Sequence, residues 1–167
     1  MQNIISLPAL IVLMAGIITS LSADDSLPYQ KEPFDDLLVA GQPTLGQLEQ
    51  LADKGFTTII NLRAPGEFDD FDEAVEVEQL GMRYVHIPLK NIAAISPADA
   101  AALHQAITTA SGPVLLHCTV GWRAGGLLAI ERYLIHDASR DEALEIAAEA
   151  HMSHATGDVE EWIDDNG

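Results

Sequence analysis

The sequence predicts an α/β fold: a single domain over residues 37–167 with a mainly parallel central sheet flanked by helices. Short apolar, β-branched stretches alternate along the chain with stretches that begin at helix N-caps. Such alternation requires crossover connections, which make successive strands parallel and cover the sheet with helices. Hydrophobic residues make up 48% of the 167-residue chain, which is enough for one buried core.

Four strands are predicted from short runs of apolar residues. They cover residues 37–41, 56–63, 82–89 and 112–118. The second run, FTTIINLR, is β-branched and almost continuously apolar, which is typical of a buried strand. The preceding residues 24–36 show no such pattern and are predicted to form an irregular lead-in.

Capping signals mark the predicted helices. Thr44 with Gln47, and Ser139 with Glu142, have the spacing of capping boxes, and a Ser-Pro pair stands at 96–97. The predicted helices cover residues 44–55, 73–80, 96–110, 124–136, 139–151 and 157–163.

The first 23 residues carry no charged side chain. Their apolar part, residues 7–18, has the length of a signal-peptide core and is short for a membrane span. Ser20, Ser22 and Ala23 are small residues that offer a cleavage site. The sequence therefore predicts a secretory signal peptide over residues 1–23 and an exported, periplasmic domain. The alternatives are an uncleaved membrane anchor and a buried helix.

The charge of the chain is strongly negative and uneven. Its formal net charge is −18, which argues against nucleic acids and anionic membranes as partners. Residues 137–167 carry ten acidic side chains and one arginine, whereas residues 100–130 carry no Asp or Glu. The only cysteine, Cys118, lies in that acid-free window, where an anion-binding site would need it.

The segment HCTVGWRAG, residues 117–125, joins a predicted strand to a predicted helix. A thiolate is a nucleophile that positive potential stabilises, and the start of a helix supplies such potential with free N–H groups. Gly121 lets the loop turn with positive φ, and Arg123 offers a planar fork for an oxyanion. The pattern predicts a thiolate and oxyanion site at the carboxyl edge of the sheet. Three predicted loops meet at that edge: residues 64–72, 90–95 and 118–123.

This segment resembles the active-site loop of the cysteine-dependent tyrosine and dual-specificity phosphatases. VAGQPT, GFTTIINLR, GE and YVHIPL extend the similarity to small bacterial phosphatase-like domains over about residues 35–152. The resemblance implies a fold of the phosphotyrosine phosphatase II type and hydrolysis of a phosphomonoester without metal or cofactor. It implies a phosphorylated small molecule or a phosphoprotein as the substrate.

The resemblance also assigns roles to the loop. Cys118 would form a phosphocysteine, and Arg123 would bind the phosphoryl oxygens. His117 would hold the loop and favour the thiolate, while backbone amides of residues 119–123 would line the cradle. Apart from the resemblance, the position of Trp122 inside the loop predicts that it walls the pocket or stacks on an aromatic leaving group, with a role in packing alone as the alternative. The other positions assigned to substrate binding are Thr119, Val120, Gly121 and Ala124.

Three features depart from the pattern of the phosphatases. Four residues separate Cys118 from Arg123, the loop length associated with rhodanese-like sulfurtransferases, whereas phosphatases usually have five. Ala124 replaces the usual Ser or Thr that assists departure of the thiolate. The loop at 90–96 has no carboxylate to act as a general acid. Two alternatives therefore stay open: sulfur transfer through a Cys118 persulfide, and a catalytically weak anion-binding module.

A general acid would have to come from another loop at the same edge. The segment APGEFDDFDE supplies Asp69 and Asp70, which are the predicted acids if this loop folds over the cradle. In the same stretch, Arg63 and Glu67 stand four positions apart and are predicted to form a structural ion pair.

Overall fold

The computed structural model describes residues 27–28, 31–34, 36–67, 69–150 and 155–167. Within these ranges, five strands form one sheet in the order β1-β2-β5-β3-β4. The strands are β1 (Lys31–Phe34), β2 (Leu37–Ala40), β3 (Thr58–Asn61), β4 (Arg83–His86) and β5 (Val114–His117). The predicted signal peptide at residues 1–23 lies outside the described residues.

Six helices accompany the sheet in the described part of the chain. They are α1 (Leu45–Asp53), α2 (Glu73–Gln79), α3 (Pro97–Thr108), α4 (Trp122–Ile135), α5 (Arg140–Glu149) and α6 (Ala155–Asn166). The capping boxes at Thr44 and Ser139 are both formed, which confirms the predicted starts of α1 and α5. Among the described residues, no helix combines the length and apolar character that a membrane crossing requires.

The sheet places β5 at its centre, parallel to β2 on one side and to β3 on the other. His117 at the end of β5 is level with Ala40 of β2 and Asn61 of β3. The strands β2, β5, β3 and β4 all run in the same direction, so the predicted mainly parallel α/β fold is confirmed. The loop that begins at Cys118 therefore leaves the middle of the sheet, at its carboxyl edge.

Two apolar layers cover the two faces of the sheet. Leu116 of β5 faces a layer that includes Leu103 of α3 and Leu127 of α4. Its neighbour Leu115 faces the opposite layer, which includes Leu48 of α1. Adjacent residues of β5 thus point to opposite faces, as the two-residue repeat of a strand requires.

The lead-in predicted for residues 24–36 is not irregular throughout. Lys31–Phe34 forms β1, which pairs antiparallel with β2 at the edge of the sheet. The sequence KEPF has two charged residues and a proline, so it shows no strand pattern of its own. An edge strand tolerates proline because one side of its backbone makes no ladder hydrogen bonds, and here the partner strand supplies the pairing.

Helix α4 packs closely against the short 3-10 helix Ile92–Ala94. A Cβ added at Gly126 would lie 2.7 Å from Cδ1 and 2.8 Å from Cγ1 of Ile92. The indole N–H of Trp162 donates to the carbonyl of Ile95 at 2.8 Å. The first contact holds the segment after β4 against α4, whose first residues belong to the loop after Cys118, and the second holds it against α6.

We expect Gly126→Ala to destabilise the protein by about 1 kcal/mol. Overpacking typically costs about 1–3 kcal/mol, and the better helix propensity of alanine returns only about 1 kcal/mol. The control is Gly157→Ala in α6, where an added Cβ meets nothing within 4 Å, and which should stabilise the fold slightly. Urea unfolding of both variants measures the difference, and equal stabilisation by both would contradict close packing at Gly126.

Candidate active site

Cys118 directly follows the central strand and is 1% exposed. Its Sγ accepts a hydrogen bond from the backbone N–H of Gly121 at 3.1 Å. Gly121 is the N-cap of α4 and has a φ of 93°, a conformation that favours glycine. The sulfur therefore lies at the positive end of α4, where a thiolate is stabilised.

The side chain of Arg123 binds groups from three separate segments at the carboxyl edge of the sheet. Its two terminal nitrogens bind the two carboxylate oxygens of Glu67, at 2.8 Å for Nη1–Oε1 and 2.6 Å for Nη2–Oε2. Nη1 also donates to the carbonyl of Leu89 at 2.7 Å, and Nη2 to Oγ1 of Thr119 at 3.0 Å. Glu67 belongs to the first loop and Thr119 to the third, so the predicted meeting of these two loops is confirmed, and Leu89 brings the residue before the second loop next to Arg123.

The Arg123–Glu67 contact keeps both groups charged. Hydrogen bonds from Arg123 lower the pKa of Glu67, and burial opposes this effect only in part. Burial by itself would lower the pKa of Arg123. The hydrogen bond to Glu67, the contact with Cys118 and the charge of Glu67 outweigh it and raise that pKa above its usual value. The guanidinium of Arg123 thus binds an oxyanion through two parallel hydrogen bonds. In this structure that oxyanion is the carboxylate of Glu67.

The ion pair predicted between Arg63 and Glu67 is replaced by two other pairs. Arg63 Nη2 lies 3.0 Å from Oε2 of Glu73, and Glu67 binds Arg123. A spacing of four residues brings side chains together only within a helix. Residues 64–67 form a turn, with the N–H of Glu67 donating to the carbonyl of Ala64 at 3.2 Å, and this turn carries Glu67 toward α4.

A buried carboxylate beneath the cradle is the main feature that the sequence did not predict. The side chain of Glu73, the first residue of α2, is 2% exposed. It accepts hydrogen bonds from Gln42 Nε2 at 2.9 Å, Asn61 Nδ2 at 2.7 Å and Arg63 Nη2 at 3.0 Å. His117 Nε2 lies 3.2 Å from Oε1. An acidic residue in the first turn of a helix is usually exposed, so the sequence offered no sign of this burial.

The partners of Glu73 keep it ionised despite its burial. Burial alone would raise the pKa of Glu73, but the contact with His117, the hydrogen bond from Gln42 and the charge of Arg63 together lower it. Nε2 of His117 lies close to the carboxylate of Glu73, but it is not aligned for a hydrogen bond. His117 itself is fully buried, and its side chain ties the end of β5 to the start of α2.

The loop after β2 supports the cradle from the other side. The N–H of Gln42 donates to the carbonyl of Thr119 at 3.1 Å. A Cβ added at Gly41 would lie 3.0 Å from that same carbonyl oxygen, so only glycine fits there without a shift. Gly41 and Gln42 lie within the segment VAGQPT, and their contacts give that segment a physical role in holding the loop.

The remaining predicted site residues differ in accessibility. Asp69 and Asp70 are exposed, on the same loop as Glu67. Trp122 is 47% exposed at the start of α4. The side chain of Ala124 is fully buried in the core, and the assignment of this residue to substrate binding stays a prediction.

Thr119 and Val120 complete the cradle after Cys118. Thr119 is exposed and its hydroxyl donates to Oε2 of Glu67 at 3.2 Å, while Val120 is half-buried. The side chain of Thr119 thus contacts both members of the Arg123–Glu67 pair.

Comparison with known proteins agrees with the geometry. A family model described as DSP-PTPase phosphatase fused to NAD+ kinase matches residues 10–165. A beta-lactamase hydrolase-like protein of Xylella fastidiosa (strain Temecula1 / ATCC 700964) is 34% identical over 120 residues, which are 69% of this chain and 27% of that protein. The chain therefore spans about a quarter of the length of this curated relative.

Solved structures with the same fold are also phosphatases. A provisionally assigned phosphatase of Neisseria meningitidis Z2491 superposes with a TM-score of 0.66 at 24% identity, covering 82% of this chain and 99% of that chain. The core catalytic domain of the PP-IP phosphatase SIW14 of S. cerevisiae superposes with a TM-score of 0.63 at 16% identity, covering 84% of this chain and 88% of that chain. At these identities, the likeness establishes the fold alone.

Replacing Glu73 by glutamine should destabilise the protein by about 3 kcal/mol at neutral pH, because a buried cation loses its counterion. A lowered pKa in the folded protein means that ionised Glu73 stabilises the fold above the unfolded value of about 4.3. That stabilisation is lost as the pH falls through the lower, folded pKa. The stability difference between wild type and Glu73→Gln should therefore shrink below about pH 4.3.

Urea unfolding at a series of pH values measures this difference. The exposed Glu78 on the same helix provides a matched control, and Glu78→Gln should change the stability little. A pH-independent difference for Glu73→Gln would contradict an ionised Glu73 in the folded state.

Proposed function

The chain belongs to the family of DSP-PTPase phosphatases fused to NAD+ kinase, and on that premise we propose that it hydrolyses a phosphomonoester through a phosphocysteine intermediate. The family model and the fold support a cysteine-based phosphatase in general terms. The observation that carries the finer proposal is the meeting of the Cys118 sulfur, the Gly121 amide and the Arg123 fork at the start of α4.

In the proposed reaction, the thiolate of Cys118 attacks phosphorus and the bond to the leaving oxygen breaks. The leaving alkoxide or phenoxide takes a proton from a general acid. Water then attacks the phosphocysteine and gives a proton to the carboxylate that the general acid has become, the S–P bond breaks, and phosphate and the thiolate are released. Arg123 and the amides at the start of α4 would stabilise the non-bridging oxygens in both steps.

The carboxylate of Glu67 occupies the fork that the phosphoryl group would use. Its two oxygens bind the two terminal nitrogens of Arg123, as two oxygens of a phosphoryl group would. We therefore propose that the substrate displaces Glu67 from at least one of these nitrogens. Because this pair is only partly buried, with Arg123 14% and Glu67 31% exposed, the displacement should cost about 1 kcal/mol.

The proposed general acid is Asp69 or Asp70. Glu67 is a poor acid in the free protein because Arg123 lowers its pKa and keeps it ionised. Glu67 nevertheless ties the loop to the cradle, so the two aspartates that follow it lie on a segment anchored beside the reacting centre.

Sulfur transfer is the second candidate, and one observation favours it. The loop has four residues between Cys118 and Arg123, the length associated with rhodanese-like proteins. In this alternative, the thiolate of Cys118 would accept a sulfur atom from thiosulfate and release sulfite, and cyanide would then remove the sulfur as thiocyanate. Arg123 would bind the oxygens of the donor.

The substrate class is proposed as a phosphorylated small molecule or a phosphoprotein. The exposed indole of Trp122 stands beside Arg123 and would pack against an aromatic leaving group. If residues 1–23 act as a signal peptide, the substrate is periplasmic, and cell fractionation of the full-length protein checks this location.

Cys118→Ser should reduce phosphate release from an aryl phosphate to the background rate while the fold and sulfate binding are retained. Wild type and variant are assayed in parallel with thiosulfate and cyanide. Thiocyanate formation by the wild type without phosphate release would replace the phosphatase proposal by sulfur transfer. Binding of sulfate without either product would indicate an anion-binding module.

Glu67→Gln should tighten sulfate binding about fivefold, because the competing carboxylate is removed from Arg123. Asp69→Asn or Asp70→Asn should instead leave sulfate binding unchanged and slow the hydrolysis of alkyl phosphates by about 100-fold or more, with a smaller effect on aryl phosphates. Isothermal titration and steady-state kinetics separate these roles. If Glu67→Gln instead weakened sulfate binding, Glu67 would position Arg123 and would not compete with the anion.

A further inference from the structure

Two histidines and a buried glutamate meet where α3 packs against the end of α4. Nδ1 of His104 lies 2.9 Å from Oε1 of Glu131, and Nε2 of His136 lies 3.1 Å from the same oxygen. The side chain of Glu131 is 1% exposed, whereas those of His104 and His136 are 35% and 41% exposed. The carboxylate thus forms the floor of a small site whose two imidazoles remain open to solvent.

The backbone holds these side chains in place. Glu131 lies inside α4, and His136 is the C-cap of that helix, with its N–H donating to the carbonyl of Arg132 at 3.1 Å. Asp137, the next residue, has a φ of 54° and ends the helix in the left-handed conformation. His104 comes from α3, so the cluster joins two helices that pack against each other.

The donor set is typical of a transition metal. Two imidazole nitrogens and one carboxylate oxygen are ligands that zinc binds at about 2.0–2.2 Å, with water in the fourth position. Tetrahedral coordination at that distance separates the ligand atoms by about 3.3 Å. The three ligand atoms here all lie within 4.8 Å of one another, so small rotations of the imidazoles are enough to reach this geometry.

We propose that His104, Glu131 and His136 bind one divalent transition-metal ion of the zinc class. Oxygen-preferring ions such as magnesium and calcium are disfavoured because two of the three ligands are nitrogen atoms. Arg132 Nε lies 3.3 Å from the other oxygen of Glu131 and would neutralise and orient the carboxylate from outside the coordination shell.

The surroundings favour a cation. An open groove of about 510 Å³ begins at His136, and most of its remaining lining is acidic. The acidic residues that line it are Asp137, Glu142, Glu145 and Glu149. Together with a net charge of −18, this lining would raise the local concentration of metal ions.

The proposed metal would be structural. Glu131 follows Arg123 by eight residues, which is about 12 Å along an α-helix at 1.5 Å per residue. An ion at this end of α4 therefore would not contact the phosphoryl group. It would fasten α3 to α4, the helix whose first turn forms the cradle, and the proposal is independent of the reaction at Cys118.

Titration of the chelator-treated, untagged full-length chain with zinc tests the site. We expect one ion per chain by calorimetry, and a rise in Tm of roughly 5–10 °C at free zinc 100-fold above Kd. His104→Ala and His136→Ala should each weaken zinc binding at least tenfold and reduce the Tm rise at that concentration to about half or less. Because each variant is compared with and without zinc, a general loss of stability does not mimic this result.

Two controls separate this site from other zinc-binding groups. Cys118→Ser should bind zinc as the wild type does, since the thiolate is not a ligand, and the exposed Glu78→Gln on α2 should also keep the Tm rise. Cobalt(II) bound in place of zinc should show the visible absorption of a four-coordinate ion, lost in His104→Ala. Three results would overturn the proposal. They are zinc binding that is unchanged in both histidine variants, zinc binding that is abolished by Cys118→Ser, and no zinc binding by the wild type.

Discussion

The ionised carboxylate of Glu73, buried beneath the sheet edge, is the interaction on which the geometry of the site depends. A buried charge is tolerated only when its partners surround it, and here they come from separate segments: the loop after β2, the end of β3, the loop after β3 and the end of β5. These segments cannot shift independently without leaving the carboxylate unpaired. Cys118 follows His117 directly, so the position of its sulfur depends on this cluster.

A second carboxylate completes the balance of charge at the surface of the cradle. Glu73 neutralises Arg63 below the loop, and Glu67 neutralises Arg123 above it. The chain as a whole is strongly acidic, yet Glu67 and Glu73 are each paired with a cation. In the proposed reaction, an incoming anion would exchange one of these pairs for another, which is a smaller change than burying a new charge. The site is therefore compatible with anionic substrates despite the net charge of the chain.

Helix α4 links the chemistry to the rest of the fold. Its first turn provides the amide that binds Sγ and the arginine that binds an oxyanion, and its middle is buried on all sides. The close approach of Gly126 to Ile92 holds the segment after β4 against this helix, and the cluster around Glu131 joins its far end to α3. A helix fixed at both ends keeps its N–H groups pointed at one place, and this preorganisation is what an oxyanion site requires.

The sequence by itself determined the order of the elements, the caps at Thr44 and Ser139, the parallel sheet and the loop from Cys118 to Arg123. Each of these depends on residues within a few positions of one another, whose spacing is directly visible. The tertiary structure alone decided which charges pair: Glu67 with Arg123 and Glu73 with Arg63. It also decided that KEPF becomes an edge strand and that His104 meets Glu131. These pairings depend on how close residues from distant parts of the chain come in the folded protein. A pattern of neighbouring residues contains no information about that distance.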